Sequence, residues 1–237
     1  MPESNRDASR YAIYFSPGLG SPLLGLGSRW LGRDATTGET LNPDLPDHIR
    51  HENWARATDS PRRYGFHATL KPPFRLAEDV TLEDLRAALR VFAESQRSFL
   101  APPPVVGTLG RFLALVLSAP SEQFSDLAAA CVSEFDRFRA PATEDETATR
   151  LRGPLTVRER EHVMRWGYPY VFDTWKFHMS LTSSLHNGSL SLFEPYLRRR
   201  FASACEQPIP VDSICIFREP SPGALFRLED SARLRSS

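Results

Sequence analysis

Two five-residue stretches, Phe66-His67-Ala68-Thr69-Leu70 and Phe177-His178-Met179-Ser180-Leu181, share one pattern: apolar, His, apolar, hydroxyl, apolar. Such alternation suits a strand, where successive side chains point to opposite faces. His67 and Thr69 then share a face, with Phe66, Ala68 and Leu70 behind them. His178 and Ser180 pair in the same way, opposite Phe177, Met179 and Leu181. The recurrence, far apart in the chain and in the same register, predicts two matching strands that bring two His-hydroxyl pairs to one site.

If the first strand stays regular, Gly65 and Lys71 join His67 and Thr69. In the second, Lys176 and Thr182 join His178 and Ser180. Each face offers an imidazole, a hydroxyl and an ammonium, an inventory that suits phosphate. Histidine donates or accepts a proton near neutral pH. Hydroxyls donate to phosphoryl oxygens, lysine offsets anionic charge, and Gly65 leaves room for a ligand near the backbone. The alternative is that both histidines are structural, half-buried and satisfied by nearby carbonyls.

A chain of 237 residues can bury one sizeable core or two small lobes sharing one. Apolar content of 41% and charged content of 24% are ordinary for a soluble globular protein. Lys plus Arg and Asp plus Glu are 29 each, which argues against nucleic-acid binding over the whole surface but not against a local basic pocket. Cys131, Cys205 and Cys215 have no CxxC spacing, which favours a reducing, cytoplasmic setting without disulfides. The N-terminal residues do not read as a signal peptide, and no apolar run is long enough to predict a membrane span.

Tyr11 to Phe15 reads as a first strand, ended by Pro17 and Gly18. Residues 16–46, rich in Gly and Pro, read as a flexible loop over the cleft, with a short amphipathic element around Trp30-Leu31. Tyr64 to Lys71 is predicted as the first motif strand, stopped by Pro72-Pro73. Thr81 caps a helix to about Gln96. Pro102 to Pro104 make a stiff connector, and Arg111 to Leu117 is an apolar strand. Ser121 to Phe138 is a helix, and residues 140–153 a polar surface linker. Thr156 with Glu159 forms a capping box for a helix ending near Gly167. The second motif strand runs from about Val171 to Thr182, and Ser191 to about Cys205 is helical. Val211 to Phe217 and Ala224 to Leu228 form a terminal hairpin. Short strands interspersed with capped helices predict an α+β fold.

The paired motifs are similar to the two H-x-[ST]-apolar signatures of the 2H phosphoesterase superfamily. More narrowly, Tyr11-Ala12-Ile13-Tyr14-Phe15, Arg63 to Lys71, and Trp166-Gly167-Tyr168-Pro169-Tyr170-Val171 leading to His178 resemble a bacterial family of that superfamily tied to phosphonate metabolism, DUF1045. Where that family tends to have Arg before Phe-His, this chain has Lys176, which keeps the charge but loses a bidentate fork.

The resemblance implies a single bilobal domain with pseudo-twofold symmetry, each antiparallel-sheet lobe giving one motif strand to a central cleft. It implies metal-independent phosphodiester hydrolysis without a cofactor, on a small ribosyl cyclic phosphate. The alternatives are an RNA-end 2′,3′-cyclic phosphodiesterase or ligase-like enzyme, and a phosphate- or nucleotide-binding module without catalysis. One histidine would act as base and the other as acid, with Thr69 and Ser180 holding the non-bridging oxygens and Lys71 and Lys176 offsetting charge. The roles of the two histidines stay open.

Tyr14, Arg63, Tyr168 and Tyr170 are further substrate-binding candidates, each with a packing role as its alternative. Tyr168 and Tyr170 are placed to stack on a base or sugar. His48 and His51 have metal-binding spacing but no accompanying carboxylate or cysteine cluster, and read as solvent-facing. His162 and His186 have no evident partner. Gly18-Leu19-Gly20 and Gly25-Leu26-Gly27 fail the dinucleotide fingerprint, since Leu23 stands where the third glycine belongs. No P-loop or G-x-S-x-G motif is present. Arg198 to Arg200 read as a solvated basic helix end.

Overall fold

The computed structural model describes residues 8–185 and 189–236. Strand β1 (Arg10–Phe15) is followed by helices α1 (Pro22–Leu31) and α2 (His51–Tyr64), then β2 (Ala68–Phe74) and α3 (Leu82–Ser95). Strands β3 (Phe99–Ala101), β4 (Pro104–Leu109) and β5 (Phe112–Leu117) lead to α4 (Glu122–Phe135), α5 (Glu144–Leu151) and α6 (Val157–Trp166). The chain closes with β6 (Met179–Ser180), α7 (Leu190–Phe201), β7 (Ile209–Val211), β8 (Ser213–Glu219) and β9 (Arg227–Arg233).

Seven strands form one sheet in the order β4-β5-β6-β2-β1-β8-β9, and β3 pairs with β7 apart from it. Its ladders are antiparallel, so the α+β reading stands. The two motif strands, β2 and β6, are neighbours at its middle. Tyr11, Ile13 and Phe15 of β1 face the main core with Phe66, Ala68 and Leu70. Ala12 and Tyr14 project from the opposite face into a smaller cluster with Cys215, Phe217 and Phe226.

Local chemistry sets the helix ends. In α3, Thr81 and Asp84 form a reciprocal capping box, and Leu85, Leu89 and Phe92 bury one stripe. Ser121 accepts from the Phe124 N–H to start α4, and Thr156 with Glu159 starts α6. Gly167, at φ 73°, ends α6 in the left-handed conformation that glycine adopts without strain.

Several expectations are corrected. Residues 16–46 are not a loose flap: Pro22 opens α1, which buries Leu23, Leu24, Trp30 and Leu31. A Cβ at Gly27 would lie 2.3 Å from the Phe66 ring, so the helix docks at backbone distance. The expected strand from Tyr64 starts late because Tyr64 ends α2. Pro72 and Pro73 do not stop β2 but lie within it. They fall where the register against β1 slips, Lys71 facing Ile13 and Phe74 facing Tyr11, so their missing donors are tolerated.

The polar 140–153 stretch contains α5, started by a Thr143–Glu146 capping box. The second motif strand is far shorter than expected: a 3-10 turn takes Phe172–Thr174, the strand is Met179–Ser180, and beyond it the Leu181 and Thr182 N–H groups donate to the Leu113 carbonyl. Pro104 opens a strand instead of ending a connector. Val211 pairs with Phe99 in the small sheet, and the last strand runs on to Arg233. His186 lies outside the described residues.

Candidate active site

The site follows from one pairing. Ala68 faces Met179 across the antiparallel β2–β6 ladder, with both side chains fully buried in the core. Alternation then puts His67 across from Ser180 and Thr69 across from His178, all four on the other face. They line a cleft of about 260 Å³ together with Tyr14, Tyr64, Phe112, Arg150 and Tyr168.

Both imidazoles are oriented by the same local device. His67 Nδ1 donates to the Gly65 carbonyl at 3.0 Å, and His178 Nδ1 donates to the Lys176 carbonyl at 2.9 Å. A carbonyl only accepts, so Nδ1 carries the hydrogen in both rings and Nε2 is left to exchange protons. The Thr69 hydroxyl donates to His67 Nε2 at 3.1 Å. Trp175 Nε1 in turn donates to the Thr69 carbonyl at 2.8 Å and steadies that strand.

Gly65 is required by its conformation. Its φ of 84° and ψ of 178° are open to glycine, and a Cβ there would stand 2.3 Å from Ala35 Cβ. The space beside it belongs to Ala35 as well as to the cleft.

Burial pushes the His67 pKa down to about 4; the Gly65 hydrogen bond opposes this and nearby His178 adds to it. Tyr14 stacks on the His67 ring with centroids 3.6 Å apart and planes 18° from parallel. Burial also lowers the His178 pKa, against its bond to Lys176. Phe112 meets the His178 ring edge-on at 5.8 Å. Burial holds the Tyr14 phenol well above its ordinary pKa, so it stays protonated.

The lysines leave the site. Leu70 and Lys71 are both buried on the core side, because two residues of β2 bulge against one of β1 between Thr69 and Lys71. The Lys71 ammonium lies 2.9 Å from Asp136 and 3.3 Å from the Val132 carbonyl. Lys176 is exposed and lines a different surface depression beside Trp175 and Phe177. Arg63 sits on α2, pairs with buried Glu219 and is not among the cleft-lining residues. Tyr14 and Tyr168 do line the cleft. Tyr170, 47% exposed, packs edge-on against Tyr168 at 5.6 Å and stays outside.

Arg150 is the contribution that the sequence reading missed. It comes from α5, and the Thr143-x-x-Glu146 capping box is the sequence signal that marks that helix. Among the remaining histidines, His48 and His51 are exposed as expected. His162 instead has partners, the Thr174 hydroxyl at 3.2 Å and Asp173 at 3.2 Å. Among the described residues no group of three or more His, Cys, Asp or Glu stands ready to hold a metal ion, and no helix is long and apolar enough to cross a membrane.

A family model described as "Protein of unknown function (DUF1045)" matches residues 69–227. Two curated proteins, both named ribose 1,5-bisphosphate phosphokinase PhnN, come from Janthinobacterium sp. (strain Marseille) and Laribacter hongkongensis (strain HLHK9). Each is 38% identical over 227 residues, covering 94% and 92% of this chain and 50% of each relative. The chain therefore spans about half the length of the curated relatives it matches. Among solved structures, E. coli LigT complexed with 3'-AMP aligns over 96% of this chain and 98% of that one, at 13% identity and a TM-score of 0.44. The protein TT0787 of Thermus thermophilus aligns over 96% and 99%, at 14% identity and a TM-score of 0.43. The family model takes in well over half of the sequence, and the chain belongs to the DUF1045 family.

Proposed function

We propose that the protein is a metal-independent phosphoesterase that hydrolyses a small cyclic phosphodiester by two-histidine acid–base catalysis. One observation carries the reading: two imidazoles, each with Nδ1 tied to a backbone carbonyl, face one cleft from adjacent strands of matching sequence. His67 is neutral above about pH 4 and acts as the base, taking a proton from water as the water oxygen bonds to phosphorus. His178, in its charged form, gives its Nε2 proton to the alkoxide as the opposite P–O bond breaks, so turnover needs a pH below its own lowered pKa. Each such transfer contributes about 10²–10⁴-fold. Ser180 holds a non-bridging oxygen, and Thr69 holds another once its hydroxyl turns from His67 Nε2 to the substrate and frees that nitrogen.

The substrate that fits best is ribosyl 1,2-cyclic phosphate 5-phosphate. Breaking its P–O2 bond leaves phosphate on C1 and a free 2-hydroxyl, which is ribose 1,5-bisphosphate, the compound in the name of the two relatives. The chain itself has no G-x-x-x-x-G-K-[ST] sequence, so the phosphokinase of that name is not assigned to it.

EDTA-treated protein is to be incubated with this compound, with nucleoside 2′,3′-cyclic phosphates, and with RNA ending in a cyclic phosphate, and the products read by phosphorus NMR. Ring opening of the ribosyl compound that survives EDTA and is lost in His67→Ala and His178→Ala supports the reading. Preference for the RNA end makes the protein an RNA-processing enzyme instead. Tight binding without turnover, unaffected by either substitution, makes it a binding module. The kcat/KM profile is expected to be a bell with an acid limb near pH 4, from His67, and an alkaline limb below the ordinary imidazole range, from the lowered pKa of His178.

A further inference from the structure

A second cavity adjoins the cleft. It encloses about 340 Å³, and Pro73 and Arg150 line both spaces. Arg10, Arg75, Arg139 and Arg150 stand in its wall, together with the carboxylates Asp145 and Glu146. Three of the arginines are engaged: Arg10 with Glu219, Arg75 with Glu146, and Arg139 with both oxygens of Asp136. Arg150 is held differently. It is exposed near the end of α5, with its guanidinium 4.9 Å from the centroid of the Tyr168 ring. Contact with an aromatic ring occupies the face of a guanidinium and leaves its edge of N–H donors for a bidentate acceptor.

The cleft itself gives an anion hydroxyls and imidazoles, while Lys71 and Lys176 are turned elsewhere. A terminal phosphate monoester leaving water needs fixed positive charge and N–H donors. Those stand at the boundary of the two cavities and beyond it.

We propose that the second cavity receives the distal phosphate of a doubly phosphorylated sugar, and that Arg150 is the residue that grips it. This deepens the phosphoesterase reading and rests on it for the word distal: the cyclic phosphate reacts between the histidines while the 5-phosphate lies past Arg150. The site then selects 5-phosphorylated ribosyl substrates over the same ring without that group.

Two measurements on the full chain test this separately from catalysis. Calorimetric titration with ribose 5-phosphate, which has no ring phosphate to react, is expected to show binding that Arg150→Gln weakens about tenfold or more. Arg150→Lys is expected to retain part of it, and ribose is expected not to bind. In turnover, the ratio of kcat/KM for ribosyl 1,2-cyclic phosphate with and without its 5-phosphate is expected to fall by a similar factor in Arg150→Gln. An unchanged affinity and an unchanged ratio in that variant overturn the proposal, as does a wild-type chain that ignores millimolar ribose 5-phosphate. If His67→Ala leaves turnover intact while Arg150→Gln still releases ribose 5-phosphate, the anion site stands and the phosphoesterase reading falls.

Discussion

Tyr14 lies flat on the His67 ring at 3.6 Å, and β2 runs for seven residues beneath it. Around His178, Phe112 presents an edge at 5.8 Å, and β6 runs for two residues. The local motif is nearly identical in the two places and yields the same face and the same Nδ1–carbonyl bond. What differs is the packing supplied by residues distant in sequence, and burial is the first cause of the lowered pKa at both rings. In the proposed mechanism, like residues in unlike surroundings give one site a base and an acid.

The largest test removes either ring. His67→Ala and His178→Ala are each expected to lower kcat by about 10²–10⁴-fold, and the double variant by far less than the product, because the two act in one step. Single-turnover rates on the cyclic substrate check this, and a strong loss in one variant alone would break the two-ring mechanism.

The lysines that follow and precede the motifs come next. Asp136→Ala leaves the Lys71 ammonium, 2% exposed, without its carboxylate, and is expected to cost about 3–5 kcal/mol in urea unfolding. Lys71→Met keeps the volume and leaves Asp136 its bonds to Arg139, so its turnover should match wild type. Lys176→Ala, on the exposed side, should change stability by less than about 0.5 kcal/mol.

A third test uses pH. The His67 pKa is about 4 folded and 6.5 when unperturbed, so between those values the unfolded chain binds the extra proton. Stability should therefore rise with pH across that window, by roughly 3 kcal/mol from this residue, and His67→Asn should remove that part of the slope. The same substitution at His178 should remove a share too, since its pKa is also lowered. A slope untouched by His67→Asn would mean the ring is not held neutral.

The smallest effect separates the two aromatic neighbours. Tyr14→Leu should cost about 0.5–1.5 kcal/mol beyond the area lost, from the broken stack, and Phe112→Leu less. Equal costs would show that the two rings are supported alike.

Much of this is legible from pattern alone. Alternation in Phe66 to Leu70 and in Phe177 to Leu181 predicts the shared face, and the capping residues Thr81, Ser121 and Thr156 mark helix starts that the structure keeps. Parity misplaces Lys71 because it holds only while a strand is regular, and a bulge leaves no mark in the residues that form it. Arg63 is misplaced because its segment has strand-like neighbours but finishes α2, where Gly65 takes a conformation that only tertiary packing against Ala35 explains. Arg150 is hidden by composition: α5 buries none of its side chains, so no apolar stripe announces it. The stack of Tyr14 on His67 joins residues from two strands, and no spacing along the chain encodes it.

The Ala68–Met179 pairing also ties the core to the site through one register. A slip of β6 by one residue in that ladder would turn His178 inward while His67 stayed in the cleft, and would drive Phe177, Met179 and Leu181 out to water. Such a chain would lose part of its core and the pairing of the two imidazoles together. Selection for a stable sheet thereby guards the alignment of the two rings, and a competent site needs no safeguard of its own.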